Sequence, residues 1–157
     1  CSYLNRVIEK SVCMKVLYQT EWQNIDFSSF AELSSTTIAG FEFYDAFYQA
    51  VFEKYASYES LPADWRRNKD ELADWLAARI PDGSQVLSVG CGLGKMEQRL
   101  WQLHADRIDI HVQDFASKSL RWLRQVIPAS HIHDAGGGNK VKSKNMTLFI
   151  SRPLITR

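Results

Sequence analysis

No stretch of this 157-residue chain approaches the ~18 consecutive apolar residues that a membrane-spanning helix requires, and no signal-peptide pattern is visible. A cytoplasmic protein without a membrane partner is therefore expected. Cysteine is scarce: Cys1, Cys13 and Cys91 form an odd set without metal-ligand spacing, which suits free thiols in a reducing compartment better than a disulfide frame. Charge is almost balanced, at +1, and so argues neither for nor against nucleic acid. No internal repeat is evident. The chain opens on Cys1 rather than Met, and a trimmed or incomplete chain is expected over a processed lipoprotein.

What is present is enough apolar side chain for one packed domain, 45% against 24% charged. Residues 1–39 are poorly defined: Val12, Met14 and Val16 hint at alternation, and FSSFAELSSTT reads as a polar connector. From Gly40 to residue 83 the pattern is helical. Phe41, Tyr44, Tyr48, Val51 and Tyr55 recur at helical spacing, with Phe43, Phe47 and Phe52 widening the apolar face. Leu61-Pro62 breaks this run. A second stripe of Leu72, Trp75, Leu76 and Ile80 follows, with Asn68 as its cap, Asp70 and Glu71 as first-turn acids, and Pro81-Asp82-Gly83 as its end.

Beyond Gly83 the period changes. Gln85 to Val89 reads as a strand, Lys95 to His104 as a helix, IDIHVQ (108–113) as a strand by alternation, and Ser117 to Val126 as a helix with Leu120, Leu123 and Val126 on one side. SHIHDA and MTLFIS are short third and fourth strand candidates. Strand, glycine turn, helix and strand open a parallel α/β sheet with right-handed crossovers, expected to be three-layered with the helical residues 40–83 packed against it.

The turn lies in VLSVGCGLGKME (86–97). A phosphate loop of the Walker type fails here, because its first glycine falls on Val89 and Met96 offers no hydroxyl. A dinucleotide fingerprint is weak, because its sixth position, counted from Gly90, is the long side chain of Lys95. What remains is Gly-x-Gly-x-Gly, with Gly90, Gly92 and Gly94 letting the backbone pass close to an adenosyl and amino-acid group.

VLSVGCGLG resembles the first motif of the class I S-adenosylmethionine-dependent methyltransferases, and IDIHVQDFASKSL is similar to the second strand of that family. The resemblance covers about residues 84–135 and implies a Rossmann-like sheet, with residues 84–157 as a partial S-adenosylmethionine-binding domain. The cofactor-binding set it implies is Val89, Gly90, Cys91, Gly92, Gly94, Glu97, Asp114, Phe115 and Asp134. Asp114 stands twenty-four positions beyond Gly90 and would accept hydrogen bonds from both ribose hydroxyls. Asp134, ending SHIHDA, would meet the adenine amino group. Ser88 stands where the family usually carries an acid, and Glu97 would restore a negative charge near the methionine end. A full sheet of the family has seven strands, of which three or four fit before Arg157. Residues 136–157 carry five basic residues and no acid, and Ser151-Arg152-Pro153-Leu154 does not match the Asn-Pro-Pro-aromatic loop of amino-group methyltransferases. The chain looks like the cofactor half of such an enzyme.

Plainer readings stand beside these. The glycines also suit a tight strand-to-helix turn, Asp114 a helix cap, and Asp134 a turn residue. The Cys91 side chain reads as packing rather than a nucleophile, the tyrosine stripe as core rather than a lid, and the basic tail as a solvated segment rather than a nucleic-acid contact. His131 and His133 have no acid or cysteine cluster to complete a metal site, so no metal is expected.

The chemistry implied is in-line displacement of a sulfonium methyl, which asks mainly for alignment and water exclusion, with a general base optional. No catalytic residue is identified, and the acceptor stays open among small molecule, protein, lipid and nucleic acid. The aromatic helix and the segment Trp65 to Lys69 are placed to cover the cofactor mouth. Two rivals remain: a nicotinamide-dependent reductase, and a non-catalytic cofactor-binding remnant or interaction module. An unpaired last strand would invite a homodimer or a partner chain that completes the sheet. The isolated chain is expected to be of marginal stability and to turn over substrate poorly.

Overall fold

The computed structural model describes residues 21–26, 40–134 and 147–150. Val12, Met14, Val16, the connector and the five basic residues of 136–157 lie outside them. The chain is mixed α/β around a parallel sheet. Its elements are β1 (Glu21–Trp22), β2 (Ile25–Asp26), α1 (Phe41–Lys54), α2 (Ala63–Ala77), β3 (Gln85–Val89), α3 (Lys95–His104), β4 (Asp109–Asp114), β5 (Ile132–Asp134) and β6 (Thr147–Ile150). No helix among the described residues is long and apolar enough to cross a membrane.

β3, β4, β5 and β6 form one parallel sheet in the order β5-β4-β3-β6. The register pairs Val86 with Ile110, Ser88 with Val112 and Asp114 with Asp134, so these residues share a face. Ile110 and Val112 are completely buried on that face, where Ala73, Leu76 and Ala77 of α2, Met96 and Leu100 of α3, and Leu120, Leu123 and Ile127 complete one core. The opposite face, with Leu87, Val89, His111, Gln113 and His133, is only partly buried. Of the three layers expected, the described residues show the sheet and the helices on one of its faces. β5 and β6 are the edge strands among them.

The expected stripe on α2 is corrected. Ala73, Leu76, Ala77 and Ile80 face inward, whereas Leu72 and Trp75 are 42% and 53% exposed. The small Ala73 and Ala77 let α2 close on α3, and ion pairs Asp70–Lys95 (2.6 Å) and Asp74–Arg99 (2.8 Å) fix that face. Trp75 instead lies under the Arg79 guanidinium, 3.9 Å from the ring centre. The start of α2 also differs: Pro62 precedes the first turn and Asp64 is its acid, which leaves Asn68 exposed in mid-helix. Proline suits a helix start because its fixed φ matches the turn and its missing N–H is not needed there. At the other end, Arg107 donates to the carbonyls of Ala77 and Ile80, both at 2.7 Å, and ties the helix end to the start of β4. α2 thus packs into the core of the sheet.

The helix expected over 117–126 is two 3₁₀ segments, Ser117–Arg121 and Leu123–Gln125. The buried Ser119 hydroxyl donates to the Ala116 carbonyl (2.7 Å), which also accepts the Ser119 N–H at 3.0 Å. Both bonds tighten the chain to three residues per turn, and Leu120 and Leu123, three apart, still point to the core.

A hairpin not anticipated in residues 1–39 joins β1 and β2. Gln23 and Asn24 both have positive φ, 50° and 60°, as a two-residue hairpin turn requires. Lys54 and the Tyr55 hydroxyl donate to the Asn24 and Gln23 carbonyls (2.6 and 2.9 Å). Trp22 and Ile25 thereby enter an aromatic cluster with Phe43, Phe47, Tyr48 and Phe52 of α1.

Candidate functional site

β3 delivers the chain into the glycine turn at the carboxyl end of the sheet. Gly90, Gly92 and Gly94 take φ of 69°, 59° and 72°, left-handed at every second position, so the turn rises and falls back on itself. Its amides point into the protein. Gly90 and Cys91 donate to the Gln113 carbonyl at 2.8 and 3.3 Å, and Gly94 donates to the Cys91 carbonyl at 3.0 Å. The Gly92 N–H donates to Asp114 Oδ2 at 2.7 Å. A phosphate nest turns such donors outward; four of these are spent within the fold.

Asp114 ends β4 and is 4% exposed. Its second oxygen accepts the Ala116 N–H at 2.8 Å, so one carboxylate ties the glycine turn to the segment after β4. Burial pushes its pKa up, against the pull of those backbone donors. Tyr44 and Tyr48 of α1 lie close enough for the carboxylate charge to disfavour their phenolates, on top of burial. The Tyr48 hydroxyl stands 2.9 Å from the point a β-carbon on Gly92 would occupy. Tyr44 meets the 45%-exposed ring of Phe115 edge-on, with centroids 5.2 Å apart.

At the start of α3, Glu97 is 1% exposed and accepts a 2.5 Å hydrogen bond from Ser88 Oγ. Glu97 thus sets a buried carboxyl against Ser88 from the helix side of the turn. The Tyr58 hydroxyl donates to the Leu93 carbonyl at 2.5 Å and closes the turn from above. Cys91 is buried in the sheet–helix core, and burial with the nearby Glu97 and Asp114 charges holds its thiol well above the ordinary range. This suits packing and is the reverse of an activated nucleophile.

The fold therefore brings Val89, Gly90, Cys91, Gly92, Gly94, Glu97, Asp114, Phe115 and Asp134 to the carboxyl ends of three adjacent strands. Asp134 pairs in register with Asp114. Of the segment expected to cover this region, Tyr48 of α1 reaches the turn, and Lys69 of α2, over the Trp65 ring at 5.7 Å, is near enough to Glu97 for its charge to favour the carboxylate. Tyr48 and Tyr55 are buried, as a core stripe requires, and Tyr44 is at the rim. Tyr58 was missed: nothing in sequence distinguishes it from the other tyrosines of an aromatic-rich stretch. Comparison with protein-family models, curated proteins and solved structures finds no match for the chain.

The electrostatics of Glu97 carry a prediction. Its pKa is raised, chiefly by burial, with Ser88 opposing. The ionised form is thus disfavoured in the folded chain, and the group's contribution to stability is present below the ordinary glutamate value and lost as pH rises through the raised one. Glu97→Gln keeps an acceptor for Ser88 and cannot ionise. The variant should match or exceed the parent in stability at neutral pH, with its relative advantage shrinking toward pH ~4. Urea unfolding across this range tests it; parallel stability curves for the two proteins would exclude the effect.

Proposed function

We propose that the chain binds S-adenosylmethionine at the carboxyl ends of β3, β4 and β5, and that it is the cofactor-binding part of a Rossmann-like methyltransferase. The observation that carries this reading is the inward-facing glycine turn bonded to the acid of the neighbouring strand. Such a turn offers a smooth glycine surface to an adenosyl group and spends its donors internally, which disfavours a pyrophosphate. The sheet supports the same reading. In chain order its strands run third, second, first, fourth, which matches the first four strands of the doubly wound order, and ligands in such sheets bind where the order reverses, outside the carboxyl ends.

In this reading Asp114 uses its remaining lone pairs for the ribose hydroxyls, and Phe115 supplies an apolar edge for the adenine. Asp134 accepts from the adenine amino group. Glu97 is a positioning residue: sealed behind Ser88, it fixes the first turn of α3 against β3. The bound cofactor supplies an already activated methyl group, so the chain's share of the chemistry is to hold, orient and dry the site.

Calorimetry with S-adenosylmethionine, its demethylated product and a reduced nicotinamide dinucleotide separates the readings. Binding of the first two and not the third is expected. Binding of the dinucleotide alone would transfer the site to a reductase, and binding of none would leave the turn a structural one.

A further inference from the structure

On the half-buried face of the sheet, away from the glycine turn, we propose a second site: a transition-metal site of zinc type built by Asp109, His111 and His131. Parallel pairing of β4 with β5 and the 3₁₀ turn Ala129–His131 bring together residues that are distant in sequence. Asp109 Oδ1 lies 3.1 Å from His131 Nε2 and 3.3 Å from His111 Nε2. The three donor atoms all fall within 4.8 Å of one another. Tetrahedral zinc with ligands at about 2.0–2.1 Å separates neighbouring donors by about 3.3 Å, so these two separations already suit a shared ion.

Each ligand is also held from behind, which distinguishes this cluster from a casual ion pair. Gln85 Nε2 donates to Asp109 Oδ2 at 2.9 Å and leaves Oδ1 facing the two histidines. Ser130 Oγ meets His131 Nδ1 at 3.0 Å, and His133 Nε2 meets His111 Nδ1 at 3.0 Å. Protons on the two Nδ1 atoms leave both Nε2 lone pairs for a metal. This is the outer-shell arrangement that orients metal-binding imidazoles. Ring packing adds rigidity: His111 stacks on His131 and His133 with centroids 4.7 and 5.2 Å apart, and Trp101 abuts His131 at 5.0 Å. The ligands are open to solvent, with His111 16% and His131 25% exposed, so an ion has a path in. Two imidazoles with one carboxylate favour zinc and its neighbours over magnesium or calcium, and three protein ligands leave a fourth position for water or a further donor.

The test uses the untagged chain, stripped with chelator and titrated with Zn²⁺ against a chromophoric indicator, with Co²⁺ absorption as a coordination probe. One equivalent is expected to bind, with Mg²⁺ in large excess not competing. His131→Gln, at the solvent-facing side of the cluster, should weaken binding about 100-fold or more, and His111→Ala similarly; Ser130→Ala should cost about 10-fold. His104→Ala, on α3, should change nothing. The Co²⁺ spectrum should show nitrogen and oxygen coordination without a thiolate charge-transfer band. No stoichiometric Zn²⁺, an unchanged affinity in His131→Gln, or a thiolate band assigning the ion to cysteine would overturn the site. None of these outcomes depends on whether the glycine turn binds S-adenosylmethionine.

Discussion

Gly94→Ala is expected to remove about 2–5 kcal/mol of stability, a large share of the roughly 5–15 kcal/mol that holds an ordinary domain folded. Two effects add. Gly94 has φ of +72°, where an L side chain costs about 1–2 kcal/mol. A β-carbon there would also lie 2.1 Å from Leu123 Cδ1, 2.4 Å from Cγ and 2.8 Å from Cδ2. Leu123 cannot swing aside, because it is completely buried in the core that joins α2, α3 and the sheet. Over-packing of this kind costs about 1–3 kcal/mol more. Gly83 separates the terms: its φ is +76°, yet nothing lies within 4 Å of its hypothetical β-carbon. Gly83→Ala should therefore show the backbone cost alone, about 1–2 kcal/mol. Adding Leu123→Ala to Gly94→Ala should recover part of the loss as a coupling energy in a double-mutant cycle. Equal destabilisation by Gly83→Ala and Gly94→Ala in urea unfolding would show that the contact with Leu123 carries no weight.

That contact explains what the residue pattern reveals and what it conceals. The strands were legible because QVLSV is a short, mostly apolar run ending at the glycines and IDIHVQ alternates strictly, and the buried Ile110 and Val112 follow that alternation. The glycine turn was legible because a strand followed by alternate glycines has few other uses. The 3₁₀ segments were not, since Leu120, Leu123 and Val126 fit a stripe of three residues per turn as well as one of 3.6. On α2, Leu72 and Trp75 made the more apolar stripe, but small Ala73 and Ala77 won the inner face because α3 approaches closely. Hydrophobicity ranks side chains; it does not weigh how near a neighbouring helix must come. The histidine cluster was hidden for another reason. His131 and His133 show their spacing openly, but Asp109 and His111 join them only through the pairing of two strands, which no local window contains.

Asp114 was legible as an acid at a strand end, and its structural load was not. Asp114→Ala should cost about 2–6 kcal/mol, because it strips acceptors from the Gly92 and Ala116 N–H groups, at about 1–3 kcal/mol for each buried donor left unpaired. A loss of affinity in that variant would therefore not distinguish a broken ribose contact from a loosened glycine turn. Asp114→Asn is the sharper substitution. Its amide oxygen retains one of the two bonds, while its NH₂ faces the other donor, so the stability loss should be about half as large. The sign of its pH dependence follows from burial, which raises the Asp114 pKa. Ionisation costs the folded parent stability as pH rises from the ordinary aspartate value through the raised one, whereas the asparagine variant has no such loss. The variant's deficit should accordingly be largest near pH ~4 and narrow toward neutrality. Calorimetry on the same folded samples then reads the ligand contact separately. With the glycine turn intact, replacing a charged acceptor for the ribose hydroxyls should lower S-adenosylmethionine affinity by about 1.5–3 kcal/mol, more than tenfold. A folded Asp114→Asn protein that binds as tightly as the parent would leave Asp114 a strut between β4 and the turn, and the ribose would have to be held elsewhere.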